Sequence, residues 1–479
     1  MGTLRGYATV PERETIHCRM ISPSAELPAA PTDSPKLERA LGVRALAANI
    51  VNTIVGSGIF VLPAVVAAIL GPAALIAYLI CAALVALFGL CFADIGSRVH
   101  VSGGAYAYVE AAFGPYVGFS AGLLLGCAEM AASAAVATIF VGSLGALMPG
   151  GGGSVSRTVL LVLLYATLAI VNVRGVRTGA RLMELITAAK IVPLVLLIVA
   201  GLFVLHPSYL KWHGFPPLSD IGRASLVLMF AFTGIEGPLT SSGEFRNPAR
   251  TVPRAVLLGL STVALLYAGL QIVSQGVLGP ALATFTDAPL GAAAERVLGG
   301  PGRTLIIVAA IVSTLGYVSG DMLATPRLLF AFARDGLLPA RFGTVHARFR
   351  TPHVAIIGYA AAACALAASG SFRVLAVISA VGILLVDLAC CLAVLALRRA
   401  DVRAAGESGA EGAASAPFRA PGGPIIPLLA SAVVVWLLTS ARAVEFLAAA
   451  GVVAVATVLY WLRPPRPPAV DQGQSRISG

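Results

Sequence analysis

Two short stretches of this chain carry residue types that could hold a zwitterion: Ile54-Val-Gly-Ser-Gly-Ile-Phe60 and Phe230-Ala-Phe-Thr-Gly-Ile-Glu236. Each sits in an apolar run, and each is interrupted by glycine. Glycine lacks Cβ, so Gly56-Ser57-Gly58 permits backbone angles that a continuous helix does not. An unwound segment there turns the amides of Ser57 and Gly58 into a cavity, at the positive end of the following half-helix. That arrangement attracts an anion such as a carboxylate. The Ser57 hydroxyl can donate one more bond, and the carbonyl of Ile54 can accept from an ammonium. One break can hold both ends of a zwitterion.

By itself the first stretch also reads as a Gly-x-Gly packing site, where small residues let two helices approach. The second stretch alters that balance. Thr233 and Gly234 are followed by the ionisable Glu236, with Pro238 two residues on. An ionisable side chain at membrane depth is costly and marks a functional site by default. Unwound backbone at that depth survives only where it is buried or lines a polar cavity. Paired breaks in two halves of a chain point to the binding site of a secondary transporter.

The elements that must position these residues are membrane-spanning helices. Hydrophobic residues make up 58% of the 479, charged residues 11%, and the mean hydropathy is +0.90. A soluble domain carries about 25% charged residues. The expected fold class is an all-α polytopic membrane protein of about 12 transmembrane helices of roughly 20 residues each. The spans are expected near 44–70, 73–97, 116–147, 157–173, 180–205, 222–243, 252–276, 303–332, 353–369, 373–398, 424–440 and 444–462. A short re-entrant or interfacial stretch near Ser102–Ala112 precedes the third.

The net charge of +11 is not a nucleic-acid face. With both termini placed inside, about three quarters of the 33 Lys and Arg fall on that side, the positive-inside pattern. Inner-loop arginines such as Arg246, Arg250 and Arg254 then meet lipid headgroups. Residues 1–43 are polar and rich in Pro and Ser, with no apolar h-region, and read as a disordered cytoplasmic tail. The core occupies 44–400, a cytoplasmic loop 401–423, two accessory spans 424–462, and a cytoplasmic tail 463–479. Seven cysteines and six histidines show no metal-ligand spacing, so no metal, cofactor or disulfide is expected.

Several motifs, in order, resemble the amino acid–polyamine–organocation (APC) superfamily and its bacterial amino acid permeases. They are Val55-Gly-Ser-Gly-Ile-Phe60, Gly103-Gly-Ala-Tyr-Ala-Tyr108, Asn172-Val-Arg-Gly175, Thr187-Ala-Ala-Lys190 and Phe230-Ala-Phe-Thr-Gly-Ile-Glu236. Gly243-Glu-Phe-Arg-Asn-Pro-Ala-Arg-Thr-Val-Pro-Arg254, Ala324-Thr-Pro-Arg-Leu-Leu-Phe330 and Ala333-Arg-Asp-Gly-Leu-Leu-Pro339 follow. The resemblance implies a five-plus-five inverted repeat with helices 1 and 6 broken. It implies that Ser57 and Gly58 bind the α-carboxylate and that carbonyls of Ile54, Phe230 and Thr233 hold the α-amine, with Gly56 and Gly234 also in the substrate-binding set. It also implies that Phe230 gates the site from outside. The substrate would be an amino acid or related amine, moved by alternating access with proton coupling or by exchange, with no enzymatic activity.

Lys190 is one of only three lysines and is mid-span, where it would lie near the first break. A lysine can release its proton where an arginine does not. It either couples or gates transport, or it caps carbonyls freed by the break. Glu236 is a proton site, a support for the unwound segment, or a reader of cationic side chains. Asp321 falls toward the inner half of its span, near the Lys190 region. Glu129 and Asp387 are cavity-lining or hydrogen-bonded between helices. Asp94 and Arg98 form an i, i+4 pair, expected as a solvated salt bridge. Small residues in the third span, Ala131, Ala132, Ser133 and Ala135, lean toward a neutral or broad substrate range.

Overall fold

In a computed structural model the described residues are 42–99, 104–147, 154–175, 180–212, 214–235, 248–286, 288–400 and 418–462. Glu236, the tail to residue 41, the loop part 401–417 and the tail from 463 lie outside them. The described residues form fourteen α-helices and no strand. In chain order these are α1 (Val43–Ile54), α2 (Leu62–Leu70), α3 (Leu75–Gly96), α4 (Ala105–Phe113), α5 (Pro115–Gly145), α6 (Ser154–Arg174) and α7 (Ala180–Gly201). They continue as α8 (Leu218–Phe232), α9 (Pro248–Leu278), α10 (Pro289–Arg334), α11 (His353–Ser369), α12 (Phe372–Arg399), α13 (Ile425–Leu438) and α14 (Ala443–Leu462).

Seven stretches are long and apolar enough to cross a membrane, and four shorter apolar helices, α1 and α13 among them, accompany them. Their outward faces are apolar too. Val155, Val159, Leu163 and Ile170 form an exposed stripe down α6, and Val455, Val458 and Leu462 another on α14. Water would penalise such faces, whereas lipid tails do not. The chain is a polytopic all-α membrane protein.

Small residues set how closely the helices approach. A β-carbon built on Gly382 of α12 would lie 2.8 Å from that of Ala128 on α5, and one on Gly89 of α3 would strike Val256 of α9 at 2.3 Å. These contacts hold α5 against α12 and α3 against α9. The expected first span is two helices, α1 and α2, joined by Val55–Val61 with a 3₁₀ turn at Gly58–Phe60. The expected eighth span lengthens to Pro289–Arg334, kinked at Gly299, whose φ of 72° suits glycine.

Candidate functional site

In an unbroken helix the carbonyl of Asn52 would receive the N–H of Gly56. Here the Gly56 amide turns instead to Ile54 O at 2.6 Å, so Asn52 O loses its helical donor. Lys190 of α7 replaces it, its Nζ donating to Asn52 O at 2.6 Å. One turn earlier Thr187 Oγ1 donates to Asn52 Oδ1 at 2.7 Å. The lysine is buried, and its ammonium caps a carbonyl that the break sets free.

Tyr267 of α9 does the same for both breaks at once. Its hydroxyl lies 2.9 Å from Ile54 O and 3.0 Å from Ala231 O, with the ring wholly buried. Those carbonyls end the helical segments before the first and second breaks. Ile54 O is thus met by Tyr267 and the Gly56 amide, and Phe230 O accepts from Thr233 Oγ1 at 3.0 Å. No described residue supplies a backbone acceptor for the N–H groups of Ser57, Gly58 and Ile59. Three successive amides with no acceptor among the described residues, in a segment opening a helix, are what an anion needs.

The two breaks press on each other reciprocally. A β-carbon on Gly58 would sit 3.2 Å from both Cα and Cβ of Ala231. One on Gly234 would sit 3.3 Å from Thr53 Cγ2 and 3.4 Å from Thr53 O. Gly234 also has φ of 109°, a region that favours glycine. So the glycine of each break is wedged against the other break. Gly56, Thr53, Thr233 and Gly234 keep partial exposure there, while Ser57 and Gly58 are buried. Phe230 is buried, its ring edge-on to Phe372 of α12 at 5.7 Å between centroids.

Across the first break stands Tyr317 of α10, its ring 4.0 Å from where a Gly56 β-carbon would be. Its hydroxyl bonds Glu129 Oε2 of α5 at 3.0 Å. Glu129 is therefore tied between α5 and α10. Asp321, also on α10, accepts from Thr325 Oγ1 at 2.5 Å and from the Tyr359 hydroxyl of α11. Ser133 joins it and accepts from Tyr165 at 3.3 Å. Among the described residues no ion pair links Asp321 to Lys190. Asp387 is buried in α12, one turn before Cys391.

One expectation is corrected. Asp94 and Arg98 are not a solvated pair: Arg98 Nε meets Asp94 Oδ1 at 2.9 Å with neither side chain exposed. Arg398 of α12 and the Ala420 amide, the latter at 2.7 Å, meet the other carboxylate oxygen. The i, i+4 spacing revealed the pair; the cover comes from chain some 300 residues away.

Sequence reasoning also missed Tyr267 and Tyr317. Neither lies in a glycine break, and a tyrosine in an apolar span carries no spacing signal.

A helix broken between α1 and α2, with its gap pressed against the unwound end of α8 inside a polytopic helical membrane protein, is a carrier-like arrangement. The Amino acid permease family matches residues 41–461, and the chain belongs to it. It is 28% identical over 453 residues to the methylthioribose transporter of Bacillus subtilis (strain 168), covering 90% of this chain and 95% of that protein. It is 31% identical to the serine/threonine exchanger SteT of the same organism, over 68% of this chain and 75% of that one. Similarity to the branched-chain amino acid permease BcaP of Lactococcus lactis subsp. cremoris (strain MG1363) is 28%, over 79% and 84%.

Proposed function

We propose that this chain is a secondary active transporter of amino acids in the plasma membrane, working by alternating access with both termini cytoplasmic. The observation that carries the reading is the reciprocal wedge of Gly58 on Ala231 and Gly234 on Thr53. It supports a site in which the amides of Ser57 and Gly58, with no acceptor among the described residues, and the carbonyls around Phe230 and Thr233 face one substrate. An α-carboxylate fits the first set and an α-amine the second. With this reading goes the proposal of a twelve-span, five-plus-five inverted repeat, in which the two breaks would be equivalent points.

In this reading Phe230 closes the outer side against Phe372, and Lys190 couples flux to protons. A positive charge on Asn52 O stabilises the break; a neutral amine holds it less firmly, so protonation biases which side is open. Exchange without protons is the second reading, favoured by the similarity to a serine/threonine exchanger. Glu236 and Asp321 are then the remaining coupling candidates. Two of the named relatives are a serine/threonine exchanger and a branched-chain amino acid permease, whose substrates share the zwitterion and differ in side chain, so in this reading the backbone site sets the zwitterion and the walls set the side chain.

The test is purified protein in proteoliposomes without ATP, offered a panel of labelled amino acids. Saturable uptake of at least one, raised by an inward proton gradient, is the expected result. Uptake that ignores pH and requires internal amino acid identifies an exchanger. No flux and no thermal stabilisation by any amino acid would refute transport of this class.

A further inference from the structure

We infer that a cleft at one end of the helix bundle binds an anionic phospholipid, with its phosphate on Arg373 and Arg442 and an acyl chain between α8 and α12. The starts of α8, α12 and α14 and the end of α13 meet there. Because α12 and α14 are long and apolar enough to cross a membrane, their shared end lies at its surface. Two adjoining hollows, of about 540 Å³ and about 130 Å³, share Arg223, Ser440 and Arg442. A β-carbon on Gly222 would strike Ser440 Oγ at 2.3 Å, so α8 and the end of α13 close the back of the cleft. None of these residues belongs to the two breaks.

Charge selects the ligand. Arg223 is held by Asp220 at 2.6 Å, whereas Arg373 and Arg442 form no ion pair with any described residue. The three arginines, set against Asp220 and the Glu445 carboxylate in the smaller hollow, leave one net positive charge. A phosphodiester carries a single negative charge, and the guanidinium fork matches its oxygens. A lipid whose headgroup is otherwise neutral therefore balances the cleft. One with a headgroup ammonium leaves it positive.

The walls favour a lipid over free phosphate. Deeper than the arginines, the smaller hollow is lined by Leu226 and Val227 of α8 and Val374 and Val377 of α12. Leu218 and Val374, on the rim, are 63% and 50% exposed, so the mouth itself is apolar and suits acyl chains. Trp436, in the last turn of α13, lines the larger hollow, at the depth where tryptophan meets headgroups. A free phosphate gains nothing from these walls, whereas each methylene of a chain does.

The test uses the whole purified chain, stripped of lipid in detergent. It is offered phosphatidylglycerol, phosphatidylethanolamine or phosphatidylcholine at equal concentration, and bound lipid is counted by native mass spectrometry. One phosphatidylglycerol per chain, retained in preference to the other two, is the expected result. Arg373→Gln with Arg442→Gln should weaken that retention about 30-fold. The charge-matched pair Arg296→Gln with Arg303→Gln, both exposed on α10, should leave it unchanged. Equal retention of all three lipids, preference for phosphatidylethanolamine, or unchanged retention in the Arg373/Arg442 variant would overturn the assignment. Glycerophosphoglycerol, the same headgroup without chains, should not raise the melting temperature as the lipid does. Equal stabilisation by it would give the cleft to a free phosphate and overturn the lipid.

A second measurement needs no substitution. Phosphatidylglycerol with a photoreactive acyl chain, bound to the unaltered protein, should label peptides covering 218–227, 373–377 or 436–445. Label confined to other helices would contradict the site, whether or not the arginine variants fold.

Discussion

Gly58 is where substitution tests the crossing of the two breaks most sharply. A β-carbon there meets Ala231 Cα, Ala231 Cβ and Leu62 Cδ1, each at 3.2 Å. The Ala231 contact is partly backbone, so a rotamer change cannot relieve it, and the two breaks must separate by a few tenths of an ångström. Overpacking of this kind costs about 1–3 kcal/mol. If that strain falls on the conformation that binds, Gly58→Ala weakens amino acid affinity by about 5- to 150-fold. Gly58→Val adds two more methyls at the same point and should bring binding below detection. Its strain comes from close approach and not from φ, since Gly58 does not have a positive φ. Gly142→Ala is the control: nothing lies within 4 Å of its added methyl. It should leave affinity unchanged and, by helix propensity, stability unchanged or slightly raised. The assay is calorimetric or thermal-shift titration of purified protein with a transported amino acid, beside uptake. Near wild-type affinity in Gly58→Val would mean that the breaks only pack helices and do not form a site.

Gly234→Ala should be impaired both by its φ of 109° and by Thr53, costing about 1–3 kcal/mol in thermal stability and lowering uptake. Tyr267→Phe leaves the carbonyls of Ile54 and Ala231 without the phenol, so a loss of about 1–3 kcal/mol in stability is expected; an unchanged melting temperature with normal uptake would show that the hydroxyl is dispensable. Lys190→Ala should abolish the pH dependence of uptake while retaining weak binding, and Lys190→Arg should keep a charge yet fail to titrate. Unchanged pH dependence in Lys190→Ala would move coupling to Glu236 or Asp321. Tags at either terminus should resist protease added outside intact cells, and cleavage of one alone would contradict an even number of spans.

Much of this arrangement was legible in the residues, and the reasons are physical. Glycines interrupting apolar runs announce unwound backbone, and both proved to be pressed against the partner break. Lys190 stood out because a lysine was used in a chain that otherwise uses arginine, and it was found on the carbonyl freed at Asn52. The capping tyrosine was not legible. Tyr267 acts through one hydroxyl brought to two carbonyls by tertiary packing, and nothing local to position 267 records that. The Asp94 pair illustrates the same limit. Its i, i+4 spacing is a helix property and visible, whereas its burial depends on Arg398 and the chain at 420 folding over it. Asp321 was placed by span position near Lys190, yet hydroxyls of α10 and α11 meet its carboxylate, because side-chain direction around a helix decides partners that depth alone does not.

The most direct test of the central claim is competition by fragments of the substrate. Uptake of one transported amino acid into ATP-free proteoliposomes is measured against its analogues lacking either the α-carboxylate or the α-amine. Because the amides of Ser57 and Gly58 are assigned to one group and the carbonyls of the Phe230–Thr233 turn to the other, neither analogue should compete at concentrations where the parent amino acid does. Equal competition by the analogue without a carboxylate would contradict the site.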